Sequence, residues 1–192
     1  MILTDRADWA ERMRRFRNHG IDTDHHQRAQ QNRWQYQMAD LGYNYRLTDF
    51  QSALGLSQLA KLPGWIKSRC LLAEQYQENL QSLPQVKLIT QYPDRLSAWH
   101  LLVVRVPGRM RDKLFDSLRN SSIGVNVHYG LVYRHPYYRQ HFSQFEGSCP
   151  IAEQNAERIL SLPIYPSLGN DMVSRVCREI RAFFEKTDED EG

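Results

Sequence analysis

Lysine is scarce in this sequence. Only Lys61, Lys67, Lys87, Lys113 and Lys186 stand among its 25 lysines and arginines. Chemistry that needs an amine to form a Schiff base therefore has five places to look. Cysteine is scarcer still. Cys70, Cys149 and Cys177 are too far apart for a CxxC metal pattern or an evident disulfide framework, which fits a reducing compartment. No glycine-rich phosphate loop occurs: Gly42 and Gly55 are isolated, and neither GxGxxG nor GxxxxGK[ST] is present. The GxSxG turn of a serine nucleophile is absent as well. No apolar run reaches the roughly 20 residues of a membrane span. The opening MILTDRADWAERMRR is charged by its fifth residue and lacks the apolar core of a signal peptide, so a cytoplasmic protein is expected. The seven histidines include no pair at i, i+4 with an intervening glutamate, and no metal site is expected. The net charge is a modest +3. Its densest cationic group, Arg12, Arg14, Arg15 and Arg17, reads as a solvated helix face or an anion contact, not a nucleic-acid patch.

What is present is an ordinary globular composition, 41% hydrophobic and 24% charged. Residues 1–4 form a short β-type run. A helix is expected from Arg6 to Asn18, capped by Asp5, with Trp9, Met13 and Phe16 on one face and His19-Gly20 ending it. From Asp22 to Ala39 the chain is polar and glutamine-rich and reads as a long exposed loop. A helix capped by Thr48 or Asp49 follows. Its Phe50, Ala53, Leu54, Leu56, Leu59 and Leu62 crowd most of the circumference, as in a helix buried between layers. Pro63-Gly64 is expected to break it, and a second helix runs from about Trp65 to Leu83 with Ile66, Cys70, Ala73, Tyr76 and Leu80 inward. Beyond Gln91 come a strand at 99–106, a helix at 109–120, a strand at 124–129, an aromatic loop, a helix at 152–162, a short strand LPIYP and a helix at 172–186. The expected fold class is α/β with an α+β small domain. The expected organisation is a remnant of a larger domain with a polar loop (1–40), interdomain helices and linker (41–94), a compact C-terminal domain (95–187) and a frayed acidic tail (188–192).

One segment is more specific than composition or periodicity. GYNYRLTDFQSALGLSQL, from Gly42 to Leu59, strongly resembles the segment that follows the cofactor-lysine region in DegT-type sugar aminotransferases. There a G-[YH]-N-[YF]-R-[LM] turn leads into a helix reading D-x-Q-[SA]-A-[LI]-G-x-x-Q-L. The flanks agree in order: MILTDRADWAERMRRFRNHGI before it, and WHLLVV, SSIGVNVHY, VYRHPYY and CPIAEQNAERILSLPIYPSL after it. Within the family the likeness is greatest to the 4-aminotransferases acting on UDP-linked 4-keto-6-deoxy-N-acetylhexosamines, as in the pseudaminic-acid pathway.

The resemblance implies the C-terminal part of a fold-type I, pyridoxal-phosphate-dependent transferase. It implies amino transfer from glutamate to a UDP-linked keto sugar, and a homodimer. The family's Schiff-base lysine precedes the matched region, and none of the five lysines here matches it, so no catalytic residue is assigned and this chain alone is expected to be inactive. Asn44 matches the asparagine that reaches a neighbouring subunit's cofactor phosphate; the other reading is a turn residue with φ > 0. Arg46 matches a substrate-side arginine, or else pairs with Asp49. His128 and Tyr129 match the family's HY facing the cleft, or else pack at an edge. Tyr43 and Tyr45 read as packing residues. A competing expectation is a stand-alone dimerisation or binding module without catalysis.

Overall fold

The computed structural model describes residues 2–23, 25–30, 32, 34–89 and 91–190. The ends of the sequence-expected β-run and acidic tail, at Met1, Glu191 and Gly192, lie outside the described residues. The elements in order are α1 (Ala7–Phe16), α2 (His25–Gln30), α3 (Asp49–Leu80), β1 (Lys87–Leu88), β2 (Leu102–Arg105), α4 (Gly108–Asn120), α5 (Pro136–His141), α6 (Pro150–Ala156), β3 (Ile159–Leu162) and α7 (Asn170–Asp190). The chain divides into two units, Met1–Ala60 and Lys61–Gly192.

The first unit is held by backbone rather than by a core. Among its described residues only Gly20 is buried. Residues 2–4 form no strand, and Asp5 does not cap α1; the N-cap is Arg6, whose N–H bonds the Thr4 hydroxyl at 3.2 Å. His19 and Gly20 both take positive φ, 61° and 71°, and end the helix as its sequence suggests. The glutamine-rich stretch contains one short helix, α2.

Helix α3 departs from expectation at its middle. Pro63 lies inside one continuous helix of 32 residues and does not break it. Proline there removes one i→i−4 bond and leaves the Leu59 carbonyl without its usual donor. Residues 56–64 are exposed, so water can satisfy that carbonyl, and the cost is smaller than in a buried turn. The start of α3 is set by a capping box: Thr48 Oγ1 accepts the Gln51 N–H at 3.2 Å, and Gln51 Oε1 accepts the Thr48 N–H at 2.9 Å. The expectation of burial for residues 50–62 is overturned in this chain. Phe50 is 81% exposed, and Leu54, Leu56, Leu59 and Leu62 are exposed with it.

The second unit carries the hydrophobic core. β1, β2 and β3 form an antiparallel sheet in that order, with Leu88 opposite Val104 and Leu102 opposite Leu162. Leu102, Val104, Leu160 and Leu162 share one cluster with Leu72, Tyr76 and Leu80 of α3, Met110, Leu114 and Leu118 of α4, and Val173, Val176, Ile180 and Phe184 of α7. The 3- and 4-residue spacings within each helix are those of a single buried stripe.

Two expected elements change here. The helix expected over 152–162 ends at Ala156, and residues 159–162 are β3. Pairing with β2 decides it, because Leu160, Ser161 and Leu162 are all buried only as a strand between neighbours. The strand expected over 124–129 is reduced to one bridge, Asn126 to Ser161. The acidic end of α7 is helical through Asp190, not frayed.

Candidate functional site

Of the four candidate side chains, Asn44 and Arg46 belong to the first unit, and His128 and Tyr129 to the second. The first pair is positioned by the chain leaving α1. Tyr43 N–H bonds Phe16 O at 2.7 Å, His19 N–H bonds Tyr43 O at 2.9 Å, and Tyr45 N–H bonds Arg17 O at 2.9 Å. These bonds make Asn18 and Asn44 an antiparallel pair. The glycine that heads the GYNYR segment has a steric reason. A Cβ on Gly42 would land on the Gly20 nitrogen, and one on Gly20 would land on the Asp40 carbonyl oxygen. Two glycines let these backbones approach.

Alternation along the extended segment then separates two kinds of side chain. Tyr43 and Tyr45 stack on one face, with ring centroids 5.3 Å apart and planes 13° from parallel, and Phe16 lies 5.2 Å from Tyr43. They pack on one another and on Phe16, while both stay exposed to solvent on their outer side. Asn44 is left on the other face, across from Asn18. Its φ is not positive, so the turn-residue reading fails. Among the described residues no side chain bonds the Asn44 amide or the Arg46 guanidinium, and Arg46 is not paired with Asp49. Both side chains are exposed.

This donor set fits one end of pyridoxal phosphate. The exposed Asn44 amide suits an anionic phosphate, and the exposed Arg46 guanidinium suits an anionic group on the substrate side. The unit that holds them contains no lysine, so it offers no side-chain amine to anchor an aldehyde. Sequence reasoning missed Asn18, directly opposite Asn44. It also missed the adjacent cleft of about 320 Å³ lined by Arg14, Arg15, Asn18 and Asp22, in which Arg15 is held by Glu11 at 3.0 Å. The arginine run in α1 was the available signal, since an anion contact was one of its two readings.

The second pair sits where residues 126–129 meet β3. Ser161, a buried polar residue in the middle of β3, exchanges two backbone bonds with Asn126, at 3.2 and 2.7 Å. Its hydroxyl lies 2.9 Å from His128 Nδ1. The His128 ring meets the Tyr129 ring edge-on at 4.9 Å. Apart from that ring contact Tyr129 is 72% exposed. The aromatic loop that follows is tied to α6: Tyr133 donates to Glu153 at 2.6 Å, and Arg134 reaches Glu153 at 3.5 Å and Glu157 at 3.8 Å. Desolvation first, and the Glu153 hydrogen bond second, push the Tyr133 phenol up to about 12. No group of three or more histidine, cysteine, aspartate or glutamate side chains among the described residues could hold a metal, and no described helix is long and apolar enough to cross a membrane.

Residues 1–181 match the sequence pattern of the DegT/DnrJ/EryC1/StrS aminotransferase family. The fold matches Helicobacter pylori PseC, an aminotransferase involved in the biosynthesis of pseudoaminic acid, with 27% identity and a TM-score of 0.83 over 95% of this chain and 48% of that one. It matches S. venezuelae DesV with 34% identity and a TM-score of 0.81, over 94% of this chain and 45% of DesV. The putative sugar aminotransferase Spr1654 from Streptococcus pneumoniae shares the fold at 22% identity, with a TM-score of 0.83 over 95% of this chain and 46% of that one in its PMP form; it also occurs in a PLP form. The chain spans about half the length of each of these relatives. Its architecture is that of a C-terminal part of a fold-type I pyridoxal-phosphate transferase.

Proposed function

Because the chain belongs to the DegT/DnrJ/EryC1/StrS aminotransferase family, whose members bind pyridoxal phosphate, we propose that these 192 residues form the phosphate- and substrate-facing half of a cytoplasmic nucleotide-sugar aminotransferase. The reaction is transfer of an amino group from glutamate to a UDP-linked 4-keto-6-deoxy sugar. When bound, the cofactor supplies the electron sink that makes such a transfer possible. Asn44 donates to its phosphate from across a subunit boundary, Arg46 contacts the substrate, and His128 with Tyr129 are substrate-facing residues of the second unit. The observation that supports this best is the pair of exposed donors Asn44 and Arg46, on a turn that Gly20 and Gly42 hold in place and in a unit without lysine.

The covalent anchor is not among the five lysines, none of which matches the family's position. The chain alone is therefore expected to be inactive. Addition of pyridoxal phosphate to the isolated chain should give no dialysis-stable absorbance near the cofactor's visible band and no single lysine labelled on borohydride reduction. Glutamate and a UDP-4-keto sugar should show no turnover above the rate without protein. A single trapped lysine with turnover would overturn the inactive reading.

A second reading, a dimerisation module without catalysis, draws on the exposed apolar residues Phe50, Leu54, Leu56 and Leu59 of α3. The two readings share the expectation of a homodimer. Cofactor binding after a lysine-bearing first half is supplied separates them.

A further inference from the structure

We propose that Asn126 and Ser161 hold His128 as the neutral tautomer with its proton on Nδ1, and that the imidazole is thereby a positioning residue for Tyr129, whose phenol is the group of this turn that meets a ligand. The tautomer stands or falls independently of the aminotransferase reading. Only the identity of the ligand, a nucleotide-linked sugar, rests on it.

The argument begins with the Asn126 amide. Its Oδ1 accepts the Val127 N–H at 2.8 Å, which fixes which end of the amide faces which way. The Nδ2 end then faces His128 Nε2 at 3.4 Å. An amide nitrogen is a donor only. Nε2 must therefore keep its lone pair, and the one proton of a neutral imidazole sits on Nδ1. Nδ1 lies 2.9 Å from Ser161 Oγ, so the ring donates there and the serine accepts. Ser161 is well suited to set the ring's position. It is buried in β3 and doubly bonded through its backbone to the same Asn126. The three residues close a small ring of hydrogen bonds around the imidazole.

Both ring nitrogens of His128 are thus engaged within the chain, so its part in the substrate-facing pair is to hold Tyr129 through the ring contact. The next side chain is different. The Tyr129 ring packs edge-on against the imidazole, with planes at 86°, while its hydroxyl has no hydrogen-bond partner among the described residues. A fixed imidazole limits where that ring can lie, and an amphipathic phenol with a free hydroxyl suits the polar edge of a sugar.

The test is the nitrogen spectrum of the histidines in the isolated chain, recorded at mildly alkaline pH, where an ordinary histidine with a pKa of about 6.5 is neutral. His128 is assigned by the signal lost in His128→Gln. The expected pattern is a pyrrole-type Nδ1 and a pyridine-type Nε2. Asn126→Asp, at an exposed position, replaces the donor facing Nε2 by an acceptor, and Nε2 should become protonated. Ser161→Ala, which leaves the Asn126 amide facing Nε2, should keep Nε2 pyridine-type, because a hydroxyl can donate or accept and selects neither tautomer. The Tyr129 ring resonances should shift in Asn126→Asp. A protonated Nε2 in the unchanged chain, or an unchanged pattern in Asn126→Asp, overturns the tautomer. A tautomer that flips while the Tyr129 resonances stay in place overturns the positioning role.

Discussion

Tyr76, fully buried in α3, donates its phenolic hydrogen to the carbonyl of Pro163 at 3.0 Å, joining that helix to the segment that leaves β3. A proline carbonyl there has no strand partner, and burial keeps the phenol from ionising by pushing its pKa well up. Tyr76→Phe keeps the ring and removes only the donor. It should cost about 1–3 kcal/mol, the penalty for an acceptor left unpaired in the core. Urea unfolding should show a lower midpoint with an unchanged slope. A loss below about 0.5 kcal/mol would mean that water reaches Pro163.

Gly42→Ala should separate the GYNYR turn from the end of α1. The added methyl would meet the Gly20 backbone, which cannot rotate away as a flexible side chain could. The bonds Tyr43 N–H to Phe16 O and Tyr45 N–H to Arg17 O should then open, and Asn44 should lose its place opposite Asn18. Hydrogen exchange at the Tyr43 and Tyr45 amides should accelerate while the core amides of β2 and β3 keep their protection. Unaltered exchange at Tyr43 would show that the turn does not depend on close approach.

Cys177 gives a pH prediction. It is buried in α7, and burial pushes its thiol up from 9.0 to about 11. A raised folded-state pKa means the native chain binds more protons than the unfolded one between those values. The associated stability is present below pH 9 and is lost as pH rises toward 11. The loss should amount to about 2–3 kcal/mol at most. Cys177→Ala should be less stable near neutrality, because it leaves a small cavity. Its stability should also fall less steeply than the parent's over the alkaline window. Parallel slopes would refute the assignment. Cys149, which is exposed, should be alkylated first at any pH.

The parts of this fold that could be read in the sequence are those fixed locally. The helices near 109–120 and 172–186 announce themselves by apolar spacing, and their observed bounds differ by at most four residues. His19-Gly20 announces its own turn. What could not be read depends on partners far along the chain. Ile159 to Leu162 follows a helix-favouring AEQNAER run and becomes a strand because Leu102 to Arg105 lies beside it. Pro63 stays inside α3 because its surroundings are wet, which no spacing reveals. The GYNYR resemblance marks Asn44 as a candidate, while Asn18 opposite it could not be read, since their pairing spans the whole intervening loop.

Asn44 should matter to the cofactor and not to the fold. Its side chain is exposed and bonds nothing within the chain, so Asn44→Ala should leave the unfolding midpoint of the isolated chain unchanged to within about 0.5 kcal/mol. The cofactor effect is read in the assembly proposed above. After a lysine-bearing first half is supplied and the two halves associate, the alanine variant should bind pyridoxal phosphate more weakly by about 1.5–3 kcal/mol, the worth of one hydrogen bond to a charged group. Mixing makes the cross-subunit claim decisive. A heterodimer with one Asn44→Ala chain and one Schiff-base-lysine-deficient chain has either one intact site or none, according to which subunit's asparagine serves which lysine. If Asn44 reaches across, pairing the two lesions on the same subunit puts them in different sites, so one site lacks its lysine and the other binds the cofactor about 10- to 150-fold more weakly. Placing them on opposite subunits gathers both lesions into one site and leaves the other whole. Full binding at one site when the lesions share a subunit would show that Asn44 serves its own subunit's cofactor.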